Sequence, residues 1–111
     1  SNHLLETSWP KVLRGKEKIK PVLAVDIIDP ETLFEILYDD QVADDVLLPK
    51  TGLAIERERA LSSMFIKTKG YGSRCSTVIL VDNDGQLSFS ERVYNVETFE
   101  YTTQTFQIPI H

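Results

Sequence analysis

Apolar residues recur at helical spacing near the start of the chain, and this pattern predicts a first helix from Pro10 toward Val25. Proline is tolerated in the first turn of a helix, so Pro10 fits its beginning. Pro21 should kink or split the helix, since proline removes a backbone hydrogen bond. The apolar residues that carry the spacing are Trp9, Val12, Ile19, Val22 and Leu23.

A second helix is predicted to begin after Asp29, whose carboxyl group can cap it, and to end near Tyr38. Pro30 suits its first position. The segment 42–53 contains a proline and a glycine and should be a loop, and 54–64 is predicted to be a short charged helix. The inward-facing residues are expected to be Leu33, Phe34, Ile36 and Leu37 in the second helix and Leu61, Met64 and Phe65 in or next to the third.

Beyond residue 76 the alternation has a period of two, which predicts strands. The strand over 77–81 is apolar on both sides, so it should be central and covered. Turns at 83–85 and near Asn95 lead into strands over 87–93 and 99–108. The second strand should be half-buried, with Leu87, Phe89 and Val93 alternating with Ser88, Ser90 and Arg92. The predicted fold class is α+β, with helices first and an antiparallel three-stranded meander last.

Composition narrows the possible functions. The 111 residues carry a formal net charge of −5, which argues against nucleic-acid binding because neutralising phosphates requires clustered Lys and Arg. No apolar run is long enough to span a bilayer, and no positively charged leader precedes an apolar segment. The single cysteine excludes an internal disulfide and fits a reducing compartment, so the predicted location is cytoplasmic.

Charged residues are segregated along the chain. A basic segment from Lys11 to Lys20 precedes an acidic segment from Asp26 to Asp45, and the two segments could face each other. The acidic pairs at 39–40 and 44–45 lack the glycine and distal glutamate of a calcium loop, so no metal site is predicted. The alternating charges at 56–59 are interpreted as surface ion pairs.

The segment 70–77 is the main candidate for chemistry. Its glycines flank a loop that delivers Arg74 to the start of an apolar strand, an arrangement suited to anion binding or oxyanion stabilisation. A structural salt bridge is the alternative role for Arg74. Cys75 could be a nucleophile, but no base lies near it in sequence, and a semi-buried residue entering a strand is the simpler interpretation.

Five segments in order along the chain resemble the C-terminal half of the NRDE family, also called the transport and Golgi organisation family. They are SNHLLETSWPK at 1–11, LPKTG at 48–52, ERERALSSMFI at 56–66, YGSRCST at 71–77 and FSER at 89–92. The resemblance covers nearly the whole chain. It implies that residues 1–111 are the C-terminal portion of one domain with the αββα sandwich of N-terminal nucleophile hydrolases.

Family members are roughly twice this length, and one sandwich domain needs more than this chain supplies. They begin with Met-Cys, so by resemblance the nucleophile lies in an N-terminal half that is absent here. That half is the expected partner, and this chain is not expected to fold stably without it. Ser1 could itself be a processed nucleophile with its α-amine as base, but it continues into a motif that family members carry internally.

The resemblance to related cysteine hydrolases of linear amides implies roles for Asn2 as an oxyanion-hole donor and Arg74 as a positioning cation. Asn2 could instead be a turn or cap residue. Tyr71 and Ser73, in the same loop as Arg74, are the candidate substrate-binding residues, and no cofactor is predicted. Two functions follow: a cysteine-dependent amidohydrolase or acyltransferase, or a non-enzymatic protein that binds and moves haem, lipid or acyl-CoA. The expected ligand is a small acylated molecule or haem.

Overall fold

The computed structural model describes Leu5 and residues 7–110. The helices come first: α1 is Pro10–Leu23, α2 is Pro30–Leu37 and α3 is Ile55–Leu61, with a 3-10 turn at Asp45–Leu47 before α3. The strands follow: β1 is Lys67–Thr68, β2 is Tyr71–Gly72, β3 is Cys75–Val81, β4 is Gln86–Tyr94 and β5 is Tyr101–Pro109. This order confirms the predicted α+β class with helices first and an antiparallel meander last.

The starts of α1 and α2 agree with the predictions. Each helix has proline at its first position, and the Asp29 carboxylate accepts a hydrogen bond of 3.0 Å from the Glu31 backbone N–H. The prediction that Pro21 could split α1 is wrong, because the helix runs through Pro21 and ends two residues later. Proline removes one backbone hydrogen bond to the preceding turn and does not prevent the two remaining residues of the helix from continuing it.

The basic and acidic segments do face each other. Asp39, just beyond α2, lies 2.6 Å from the Arg14 guanidinium and 2.6 Å from the Lys18 ammonium, one helical turn apart on α1. The Asp39 side chain is only 8% exposed. Burial alone raises the pKa of Asp39, but hydrogen bonds from Lys18, the Gln41 backbone and Arg14 outweigh it and hold the pKa at about 2.

Asp39 should make the protein sensitive to acid. Its pKa is depressed from 3.8 to about 2 on folding, so its contribution is present above pH 3.8 and is lost as the pH falls through 2. We expect a loss of about 2 kcal/mol in unfolding free energy over that range. Urea unfolding at several pH values should show this loss of unfolding free energy in the wild type and not in Asp39→Asn. The control is Asp26→Asn, which removes an exposed carboxylate. If the unfolding free energy of Asp39→Asn and that of Asp26→Asn depend equally on pH, Asp39 is not the source of the acid sensitivity.

The strands form two sheets. β1 and β2 make a short hairpin, and β3, β4 and β5 make an antiparallel sheet in the order β3-β4-β5. In the described residues β3 is therefore an edge strand, and its side chains alternate between buried and exposed. The prediction that this strand is central and covered on both faces is wrong for this sheet, because α2 packs against one face only.

The covered face of the sheet combines polar and apolar side chains. Ser90, Arg92 and Tyr94 are buried, whereas Val93 is 48% exposed. The Arg92 guanidinium carbon lies 4.1 Å from the Phe34 ring centroid of α2, and its Nε donates to Thr103 Oγ1 at 2.9 Å. The prediction that β4 is a half-buried strand is confirmed. The face of β4 that the structure buries is the one that carries Ser90 and Arg92.

An aromatic cluster forms the core between the helices and the sheet. Phe65, which follows α3, is 1% exposed, and its ring centroid lies 4.7 Å from Tyr38 and 4.7 Å from Tyr94. Phe99 lies 6.2 Å away in an edge-on arrangement. Aromatic pairs at these distances are favourable beyond the area that they bury. The predicted inward orientation of Phe65 is confirmed.

Candidate functional site

A cavity of about 340 Å³ lies between the start of α1, the loop 49–53, α3 and the β1–β2 hairpin. Its walls are more apolar than polar. Four of the five segments that carry the family resemblance contribute to it. The described lining residues are Trp9, Pro10, Lys11, Pro49, Thr51, Leu53, Glu58, Leu61, Ser62, Ile66 and Tyr71.

Lys11 provides the positive charge of this cavity. Trp9 is the N-cap of α1, and its carbonyl accepts hydrogen bonds from the Val12 and Leu13 backbones. The turn directs Lys11 toward α3, where its Nζ donates to the Leu61 carbonyl at 3.1 Å. The same Nζ lies 5.7 Å from the Trp9 ring centroid. Burial lowers the pKa of Lys11, since a desolvated ammonium is less stable than a solvated one.

Glu58 organises the loop on the opposite wall. Its carboxylate accepts hydrogen bonds from Thr51 Oγ1 at 2.7 Å and from the Thr51 backbone N–H at 2.5 Å. These bonds, with a smaller contribution from the Leu53 backbone, hold the pKa of Glu58 below its ordinary range. Glu58 is 7% exposed, so its predicted role in a surface ion pair is wrong. Arg59 does form such a pair, with Asp45 at 2.7 Å.

The β1–β2 hairpin brings one of the two predicted substrate-binding residues to the cavity. Tyr71 lines it and is 59% exposed. Ser73 instead fixes the backbone, since its Oγ accepts from the Ile66 N–H at 3.0 Å and its own N–H donates to the Ile66 carbonyl at 2.9 Å. Gly72 permits this close approach, because a Cβ there would lie 2.7 Å from the Ile66 carbonyl oxygen.

Arg74 does not line the cavity. Its side chain is exposed, and its carbonyl accepts a hydrogen bond of 2.8 Å from the Tyr94 backbone at the sheet edge. In the part of the chain that the structure describes, the Arg74 guanidinium forms neither a hydrogen bond nor an ion pair. The structural salt bridge that was the alternative role for Arg74 is therefore not formed with any described residue. Asn2 lies outside the described residues. Cys75 is exposed at the first position of β3 and not semi-buried as expected.

The cavity residues Lys11 and Glu58 were not among the sites predicted from sequence. Both lie in segments whose neighbouring residues are charged, and residue order alone does not show which member of such a segment turns inward. The position of Lys11 directly after Trp9-Pro10, in the first turn of a helix, was the one available signal. Among the described residues no group of three or more His, Cys, Asp or Glu is placed to hold a metal.

The fold and the cavity together define an α+β chain with a mainly apolar pocket beside the β1–β2 hairpin, in which Lys11 is the cation among the described lining residues. A family model described as Transport and Golgi organisation 2 matches residues 1–96, a range that contains all of the described lining residues. The chain therefore belongs to the Transport and Golgi organisation 2 family. No helix in the described ranges is long and apolar enough to cross a membrane.

Curated relatives agree with this family. The chain is 29% identical to the Transport and Golgi organization protein 2 homolog of Homo sapiens over 95% of its own length and 44% of the human protein. It is 30% identical to the Bos taurus protein of the same name over 97% of its length, and 26% identical to the Transport and Golgi organization 2 homolog of Mus musculus over 99%. The chain spans less than half the length of each relative. No solved structure matches significantly.

Proposed function

We propose that this chain supplies part of a binding site for a small molecule with an apolar acyl body and an anionic group. The observation that carries the proposal is the cavity of about 340 Å³, with its apolar walls and the Lys11 ammonium. Small-molecule sites in proteins typically measure 300–1,000 Å³ and combine apolar lining with a few polar groups. The size and the lining of this cavity fit the lower part of that range.

Lys11 supports an anionic ligand group. Removal of water from its ammonium lowers the pKa of Lys11, and an anion nearby would compensate that cost. Glu58, the other charged residue in the lining, is occupied by Thr51, and its depressed pKa makes it a weak base and a poor proton donor at neutral pH. The cavity is therefore better equipped to bind an anion than to move a proton.

The lining favours an acyl ligand over haem. Haem iron is usually held by His, Cys, Met or Tyr. None of the described lining residues is His, Cys or Met, which leaves Tyr71 as the one potential axial ligand in this lining. The relatives are named for transport and Golgi organisation, and carriage of an acyl compound in a longer protein agrees with that name. The other half of that protein would complete the site.

Cysteine-dependent acyl transfer is the second candidate function. It is supported by Arg74, whose guanidinium is exposed and has no partner in the described ranges. In this scheme Arg74 orients a substrate carboxylate or stabilises a thiolate, and Asn2 donates to the oxyanion. The nucleophile would come from residues outside this chain.

Titration of the full-length protein with a fluorescent long-chain fatty acid, its methyl ester and haem tests the binding proposal. Lys11→Met removes the charge and keeps most of the side-chain volume. We expect it to weaken binding of the acid by about tenfold or more, since a hydrogen bond to a charged group contributes about 1.5–3 kcal/mol. Binding of the ester should change much less. Lys20→Met, an exposed site on the same helix, is the matched control.

Three results would overturn the proposal: no saturable binding of the acid, equal loss of acid and ester binding in Lys11→Met, or haem as the one saturating ligand. The wild type, Lys11→Met and Arg74→Ala can also be incubated with an N-acyl amide and assayed for released acid. Release that Arg74→Ala slows and Lys11→Met leaves unchanged would establish acyl transfer instead.

A further inference from the structure

The β3-β4-β5 sheet has one face that no described element covers. Two rows of apolar side chains cross the three strands on this face, since Ile79 pairs with Phe89 and Phe89 with Phe106, while Val81 pairs with Leu87 and Leu87 with Ile108. The open apolar face is defined here as these six residues. Its side chains on β3 and β5 are between 49% and 59% exposed.

Apolar side chains occupy both faces of the sheet, although a described helix packs against only one of them. The face packed against α2 contains Ser76, Ser90 and Arg92 beside Val78 and Tyr94, all buried, and the open face contains the six apolar side chains defined above. An antiparallel sheet with one solvated face normally turns its polar residues to water. Contiguous exposed apolar residues on a soluble protein mark an interaction surface.

We propose that the open apolar face is a docking interface for the part of the full-length protein that lies outside residues 1–111. The relatives support this occupant, because this chain covers only 43–44% of their length and more than half of such a protein remains to be packed. The described chain also has a radius of gyration of 15.9 Å, against about 13 Å for a compact domain of 100 residues.

A segment of the same polypeptide is favoured over a second copy of the chain. A tethered segment is present at a high effective concentration, so it occupies an apolar face before an untethered molecule can. The interface is independent of the proposed ligand site, because the cavity is built from residues 9–71 and the open apolar face lies on β3, β4 and β5. An experiment that overturns the ligand-site proposal therefore does not overturn the interface proposal, and the reverse also holds.

Footprinting of the full-length protein with a photogenerated carbene, read by mass spectrometry, tests the interface without any mutation. Label on Ile79, Phe106 and Ile108 is compared between native and urea-unfolded protein. We expect native labelling to fall to a small fraction of the unfolded yield. Native labelling near half of the unfolded yield, as their exposed fractions of 49–55% imply for an open face, would overturn the proposal. So would protection that disappears on dilution as a dimer dissociates.

A substitution provides a second readout. Ile79→Glu places a charge in the interface, and we expect the melting temperature of the full-length protein to fall by more than about 5 °C. Val46→Glu is the matched control, since Val46 is 91% exposed and lies away from the sheet in the 3-10 turn. An unchanged melting temperature in Ile79→Glu contradicts the proposal, and if this variant does not fold, the footprint of the wild type decides.

Discussion

Phe65→Ala should lower the free energy of unfolding by about 3–5 kcal/mol, the range found when buried aromatic side chains are truncated. Phe65 is 1% exposed, and its ring contacts Tyr38 and Tyr94 at centroid distances of 4.7 Å each. These neighbours belong to the segment after α2 and to β4, so the cavity left behind would lie where the helices meet the sheet. Urea denaturation of the full-length protein measures the loss.

The neighbourhood of Phe65 leaves little room for relaxation. Its backbone N–H donates to the Asp39 carbonyl at 2.8 Å, and its carbonyl accepts from Ser63 Oγ at 2.8 Å, so the chain cannot easily move into the vacated space. Val46→Ala, at a side chain that is 91% exposed, should change stability by less than about 0.5 kcal/mol. A Phe65→Ala loss below about 1 kcal/mol would mean that this cluster is not the core.

Local sequence signals predicted the helices and turns well, because each depends on a few adjacent residues. Asp29 and Pro30 fix the start of α2, and the turn between β3 and β4 contains Gly85 with a φ of 76°. The Asp82 carboxylate there accepts from the Asp84 and Gln86 backbones at 2.9 Å each. Boundaries moved by a few residues, as at α3, which ends at Leu61 with the Ser62 backbone N–H donating to the Arg59 carbonyl.

The burial of the sheet could not be predicted from the pattern of this chain alone. Alternation identifies two faces but not which partner covers each of them. Ile79 and Phe89 are apolar, as a covered face requires, yet α2 packs on the side of Val78 and Arg92. The mismatch is explained if the sequence of β3, β4 and β5 is adapted to a protein longer than this chain.

The predicted site residues and the described lining of the cavity overlap at one position. Tyr71 lines the cavity because the glycines of its loop allow a tight hairpin against Ile66, and its role in substrate binding stays a prediction. Lys11 and Glu58 come from segments far apart in sequence, and their roles depend on distances that only the folded chain defines. The proposed roles of Arg74 and Asn2 depend on residues outside this chain, and both remain predictions.

Arg92→Ala should lower the free energy of unfolding by about 3 kcal/mol, which is large for a polar residue on a strand. The Arg92 side chain is 6% exposed, and its guanidinium carbon lies 4.1 Å from the Phe34 ring centroid and 4.2 Å from that of Tyr101. It also forms an ion pair with Glu31 and donates to Thr103. Arg92 therefore links α2, β4 and β5 through one planar group.

The stacking contacts, more than the ion pair, should account for this loss. Glu31 is 56% exposed, so Glu31→Gln should cost less than about 1 kcal/mol. Arg92→Lys keeps the charge but loses the flat guanidinium that fits between two rings, and we expect it to recover less than half of the loss. Denaturant unfolding of the three variants at low and high salt separates the contributions. If Glu31→Gln costs as much as Arg92→Ala, or if salt abolishes the difference, the ion pair is the main contribution and the stacking account is wrong.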